Sequence, residues 1–471
     1  MTENSSATSK TIGSSAKSSA KEALLGLSAG DAAAQLRDGS LKATELAEAY
    51  LARIQAVDPD VQAWAHLDVG FVLRQAEAAD KRKQHGLPLG PLHGLPVALK
   101  DNIDTRDLPT ENGTVLQSGR RPFEDATLVS VLKAAGAIVL GKTVSTELAV
   151  FGPGKTRNPH NADHTPGGSS SGSAAAVAAY MAPLAIGTQT NGSVVRPASY
   201  CGVYGYKPSF GLISRKGVLP GSGHFDTVGV FGRSVEDCAL LGQTLMQFDA
   251  ADPAMTAQAP PPLLRVASEA PPVTPRLAFV PSPFWDRAED YTKEAFEELA
   301  ALLGDTSVQV ELGDAYGEAD LHHRRIMVAD LAKNLNPFYE KGRDQLTQTL
   351  RDMIEEGHKV TALDYNRGLD RRKALRNGLD ELFENFDAIL TPATPGQAPN
   401  GLGKTGDPIF STLWTFCGLP CITLPLLQGP DGLPLGVQLV ASRGDDARLL
   451  RVARWLAKTV DAAVTDNEKP E

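Results

Sequence analysis

Cysteine is scarce in this chain, four residues among 471, too few for a disulfide-stapled scaffold. Cys417 and Cys421 stand four apart, a spacing open to a metal pair. No histidine or further cysteine adjoins them, and two buried structural thiols account for the pattern better than a ligand pair. No metal and no cofactor are expected. No run of 18 apolar residues occurs, so no membrane-spanning helix is expected. Basic blocks are missing too: 46 Lys and Arg face 56 Asp and Glu, a net charge of −10, which argues against a nucleic-acid partner. The opening stretch MTENSSATSKTIGSSAKSSAK has neither the apolar core of a secretory signal nor the Arg-rich pattern of a transit peptide. The expectation is a flexible tail over residues 1–22 on a cytoplasmic enzyme.

What is present is an ordinary globular balance, 42% hydrophobic and 22% charged, with 44 glycines and 32 prolines. Residues 24–57 read as two helices, with Gly39 and Pro59 as stops. A short apolar strand ends in Lys100, a helix runs through DATLVSVLKAAG with Gly136 at its cap, and AIVLGKT is a compact strand. An Ala-rich helix is expected from Ser173 to Tyr180, a Pro-rich surface connection at 253–275, and helices over roughly 287–386. Strand-like runs return at RLAFVP, FDAILTPATP, LPCITLPL and GVQLVAS before a last helix. Strands from both ends alternate with helices, which favours one α/β unit with a helical insertion over independent domains.

Several short motifs compete for the chemistry. Gly136, Gly141, Lys142 and Thr143 have the spacing of a phosphate-binding loop. Such a loop follows a strand and leads into a helix with free backbone N–H groups. Here a helix precedes Gly136, and Ala137, Ile138, Val139 and Leu140 are strand formers, so the order is inverted. Gly168–Gly172 matches a nucleophile elbow centred on Ser170, but loop sequence precedes it and His224, His322, His323 and His358 sit in no motif. Ser130 to Lys133 and Lys404-Thr405-Gly406 imitate penicillin-binding motifs without the S-x-N element.

A different constellation is spread along the chain in HGLPVALKDNID, GKTVSTELA, TPGGSSSGSAAAVAA, GTQTNGSVVRPASYCGVYGYKPS and FDTVGVFGRSVEDCALL, and again in FCGLPCITLP and PLGVQLVA. In these motifs the chain closely resembles the amidase signature family, whose members hydrolyse amides with a Ser–cisSer–Lys triad. The resemblance implies one α/β domain over residues 23–463, a mixed twisted β-sheet core covered by helices on both faces. Its motif core would span 90–240 and a variable helical insertion about 285–386. By motif, Lys100 corresponds to the catalytic lysine, Ser169 to the serine entered by a cis peptide, and Ser193 to the nucleophile. Backbone N–H groups of Thr190, Asn191, Gly192 and Ser193 would form the oxyanion hole. The substrate would be a small-molecule amide, or a carbamate, urea or aryl amide, with a homodimer left open.

These residue types suit acyl transfer. A serine hydroxyl needs a base, and a lysine serves only when neutral, well below its free value of about 10.4. Lys100 ends the apolar run Leu95 to Leu99 and is either a desolvated base or a solvated strand-end lysine. Ser169 has the donor and acceptor capacity of a proton relay, or is simply a turn serine in GGSSSGS.

The chain departs from the family's usual G-T-D-T-G-G-S-[IV]-R-x-P: Gln189 replaces Asp, Asn191 replaces Gly, and the arginine is displaced by one, to Arg196. Asn tolerates a left-handed backbone, which would preserve the loop. Glutaminyl-tRNA-type amidotransferase subunits share the family but typically carry Y-x-x-D-x-x-T before G-L-P. DPIFSTLWTFCGLP lacks that tyrosine and displaces the aspartate. Two alternatives stand beside an amidase: a glutamine-dependent amidotransferase subunit, or a catalytically silent binding protein. Phe284, Trp285, Trp414 and Phe416 are candidates for the acyl pocket or for ordinary core.

Overall fold

The computed structural model describes residues 22–467. The expected tail therefore falls almost wholly outside the described residues. Eleven strands form one sheet: β1 Trp64–His66, β2 Pro96–Lys100, β3 Ile138–Thr143, β4 Leu184–Gln189, β5 Tyr204–Lys207, β6 Thr227–Gly232, β7 Leu277–Phe279, β8 Ser307–Gln309, β9 Ala388–Pro392, β10 Cys421–Gln428 and β11 Pro434–Val440. Their order is β1-β3-β2-β4-β6-β5-β10-β11-β9-β7-β8. The sheet is mixed: β2 runs parallel to both β3 and β4, while β4–β6, β5–β6 and β5–β10 are antiparallel. Strands β2, β3 and β4 are buried along their whole length, as strands covered on both faces must be.

Helices cover both faces. Ser171–Ala178 and Val195–Cys201 pack on each other, the first against β2 and β4 and the second against β5, β10 and β11. Val235–Leu245 and Asp446–Asn467 form a second group against β5, β6 and β10. Residues 290–383 supply the long helices Ala319–Gly342 and Ala362–Phe383, and also strand β8.

Two local expectations are corrected. Pro59 does not stop its helix, which runs Ala43–Val61 and closes on Gln62 in the left-handed conformation; a proline in the last turn forfeits one hydrogen bond without barring the next two residues. The Pro-rich connection contains a helical turn and a half, Leu263–Ser268. Gly141-Lys142-Thr143 is the second half of β3, within the strand expected for AIVLGKT. Gly136 ends the preceding helix at φ 84°, where a side chain would be strained.

Candidate active site

Parallel pairing places the site. Leu99 of β2 lies opposite Ile186 of β4, so both strands end at one edge and bring Lys100 beside Thr188. Lys100 Nζ is 2.7 Å from Ser169 Oγ and 2.9 Å from Thr188 Oγ1. The lysine is fully buried, which removes the solvated strand-end reading. Burial pushes its amine down to about 7, opposed by the more distant Asp226 carboxylate. Among the described residues no carboxylate forms an ion pair with it.

Ser169 is positioned by the loop ahead of the Ser171–Ala178 helix, and the Gly168–Ser169 peptide is cis. Its neighbours are scaffold. Ser170 exchanges hydrogen bonds with the backbone of Thr188, and Ser173 Oγ donates to Ile186 C=O. Ser170 is thus tied to β4 and no elbow nucleophile. A Cβ on Gly172 would come within 2.3 Å of Ala63 C=O, so this glycine exists for close packing.

Ser193 opens the turn that leads into the Val195–Cys201 helix. Thr190, Asn191, Gly192 and Ser193 all line a narrow cavity, with Thr188, Asp226 and apolar side chains such as Val150, Phe151 and Met327. Among the described residues the Ser193 hydroxyl has no protein partner, and it is not sealed from the cavity. Nor, among the described residues, do the four backbone N–H groups of residues 190–193 find a protein acceptor. The arrangement offers a free hydroxyl, a row of free donors and a depressed amine at one sheet edge.

The departures Gln189 and Arg196 do not pair with each other. Gln189 Oε1 accepts from Val194 and Val195 N–H at 2.8 and 3.0 Å, and its Nε2 donates to Thr415 Oγ1 at 2.9 Å. It caps the helix that follows Ser193. Arg196 instead donates to the carbonyls of Gly168 and Gly406, both at 2.7 Å, and so braces the peptide that presents Ser169. Asn191 is absent from the residues with positive φ, correcting the left-handed expectation. Its side-chain oxygen accepts from Thr412 Oγ1 at 2.9 Å.

The four candidate aromatics take the core alternative rather than the acyl pocket. Trp414 and Phe416 are buried in the core, and Phe284 and Trp285 pack beside Ala288, Ile409 and Phe410; none lines the cavity. All four cysteines are free and buried, and among the described residues no cluster of three or more His, Cys, Asp or Glu is arranged to hold a metal. No helix among them is long and apolar enough to cross a membrane.

Sequence reasoning missed Asp226. It accepts from Thr190 Oγ1 at 2.6 Å and from Gly221 and Ser222 N–H, while burial raises its carboxyl above the ordinary value. It also missed His323, whose ring reaches the Thr190 carbonyl at 2.9 Å. The only signal for either is contact between distant segments, which spacing cannot reveal.

A family model described as Amidase matches residues 45–450. The chain is 35% identical over 461 residues to a glutamyl-tRNA(Gln) amidotransferase subunit of Thermus thermophilus, covering 89% of this chain and 94% of that protein. It is 34% identical to the protein of the same name from Symbiobacterium thermophilum, with 90% and 94% covered. Among solved structures, the peptide amidase of Stenotrophomonas maltophilia is 30% identical with a TM-score of 0.79, over 93% of this chain and 97% of that one. A protein from a vestigial complex bearing on the origins of an s-triazine catabolic enzyme is 30% identical with a TM-score of 0.85, covering 92% and 98%.

Proposed function

The chain belongs to the amidase family and is an enzyme of the amide C–N bond, and we propose that it is a stand-alone amidase working through a seryl acyl-enzyme. The observation that carries this reading is the Lys100–Ser169 pair: a fully buried amine, pushed down to about 7, bonded to hydroxyls. Such an amine is substantially neutral at physiological pH and can take a proton.

In the proposed sequence Ser193 Oγ attacks the amide carbonyl carbon. Its proton passes to Ser169 Oγ while the Ser169 proton moves to Lys100 Nζ. The carbonyl oxygen becomes an oxyanion held by backbone N–H groups of residues 190–193. The C–N bond then breaks, and the amine leaves with the proton returned from Lys100 through Ser169. Water repeats the cycle on the ester and frees Ser193. The apolar part of the cavity wall, Val150, Phe151 and Met327, suits an uncharged acyl group.

A second reading, a partner-dependent amidotransferase component, is favoured by the names of the curated relatives. Against it, Asp407, the displaced aspartate of the Y-x-x-D-x-x-T element typical of such subunits, is engaged by Arg287 and is not part of the cavity wall. The purified single chain, acting alone or as a homodimer, is expected to hydrolyse members of a panel of amides, carbamates and aryl acylamides. Ser193→Ala should lower turnover by at least about 10⁴-fold with an unchanged melting temperature. Glutamine hydrolysis seen only with an added partner would support the second reading. No hydrolysis and no fluorophosphonate labelling of Ser193 would leave a silent binding protein.

A further inference from the structure

Each carbonyl of the 190–192 stretch is held by a donor. Thr190 C=O accepts from His323 Nε2 at 2.9 Å, Asn191 C=O from Thr415 Oγ1 at 2.6 Å, and Gly192 C=O from Arg196 N–H at 2.9 Å. A trans peptide unit is planar, with its N–H directed opposite its C=O. Fixing those three carbonyls therefore fixes the directions of the N–H groups of Asn191, Gly192 and Ser193. These are the groups without protein acceptors among the described residues, in a stretch that lines the cavity.

The clamp on Thr190 is the most elaborate of the three. His323 comes from the Ala319–Gly342 helix, 133 positions along the chain. Its ring is buried and stacks on Phe225, with centroids 4.4 Å apart and planes inclined by 21°. The next residue, Asp226, accepts from the Thr190 hydroxyl. Thr190 is thus held at its main chain by one segment and at its side chain by another. A carbonyl can only accept, so the neutral ring must carry its proton on Nε2. Burial pushes the ring down to about 4, which keeps it neutral at physiological pH.

We propose that His323 is a positioning residue for the reaction, aiming Asn191 N–H at the developing oxyanion by holding the Thr190 carbonyl, with Thr415 doing the same for Gly192 N–H. This rests on the reading of Ser193 as nucleophile. It makes one residue of a helix distant in sequence a determinant of transition-state stabilisation rather than of substrate affinity.

The test compares His323→Phe, which keeps a flat ring against Phe225 but has no donor, with His323→Gln, which restores an N–H. Both kcat and KM are measured, together with the rate of Ser193 labelling by a fluorophosphonate, in proteins matched by circular dichroism. His323→Phe is expected to lower kcat and the labelling rate by about 10- to 100-fold, with KM within about twofold, because an oxyanion donor is misaimed rather than deleted. His323→Gln is expected to recover most of the loss. Thr415→Val, which leaves the ring untouched, gives the same split between kcat and KM and stands in if the phenylalanine variant does not fold. Unchanged kcat in His323→Phe or in Thr415→Val, or a glutamine variant as weak as the phenylalanine one, overturns the proposal. Absence of labelling in the wild-type chain would instead overturn the assignment of Ser193, and this inference with it.

Discussion

Two fully buried lysines stand side by side in the sheet, in pockets of different chemistry. Lys100 ends β2, and Lys142 lies opposite its neighbour Leu99 on β3. Burial lowers both, Lys100 to about 7 and Lys142 to about 8. Their partners differ. Lys142 lies 3.3 Å from the Asp101 carboxylate and donates to Ile103 C=O at 2.7 Å and Thr110 Oγ1 at 2.6 Å. A carboxylate and a carbonyl only accept, so that pocket favours an ammonium. Lys100 meets two hydroxyls, which can accept from an ammonium or donate to a neutral amine. Burial alone makes a depressed lysine; a hydroxyl environment makes one that can exchange a proton.

The contrast breaks most visibly under substitution of each lysine by methionine. Lys100→Met is expected to lower kcat/KM by about 10⁴-fold. Its melting temperature should hold or rise, since a buried amine without a counter-ion gives way to an apolar chain. Lys142→Met does the reverse. It leaves Asp101 buried without its cation, which should cost about 3–5 kcal/mol of stability in denaturant titration. The fraction that folds should keep kcat/KM within about tenfold of wild type. If the activity loss followed Lys142 instead, the roles drawn from their partners would be wrong.

The same contrast explains how much is legible in the sequence. Lys100, Ser169 and Ser193 each sit inside a contiguous motif, and the strand that carries Lys100 announces itself as a short apolar run. Lys142 is visible too, but as a phosphate-loop imitation; only its register beside β2 places it in a buried ion pair. Departures in the 189–196 stretch are legible as letters and not as contacts. Gln189 meets Thr415, Arg196 meets Gly406, and Thr190 meets His323, pairs separated by 226, 210 and 133 positions. Local spacing carries no record of such meetings. For the same reason the four aromatic candidates for the acyl pocket lie elsewhere: an indole in an apolar stretch reads alike whether it faces a cavity or a core.

On the proposed mechanism a neutral Lys100 is the base that activates Ser193. That role is tested most directly by the pH dependence of Ser193 phosphonylation in the wild-type chain, measured from pH 5 to 9. Because the folded value is lowered to about 7 and the neutral amine is the competent form, the rate should be nearly lost at pH 5. It should rise about tenfold per pH unit through the acid limb and level off above roughly pH 8. A rate that stays flat across that range would contradict a lysine base.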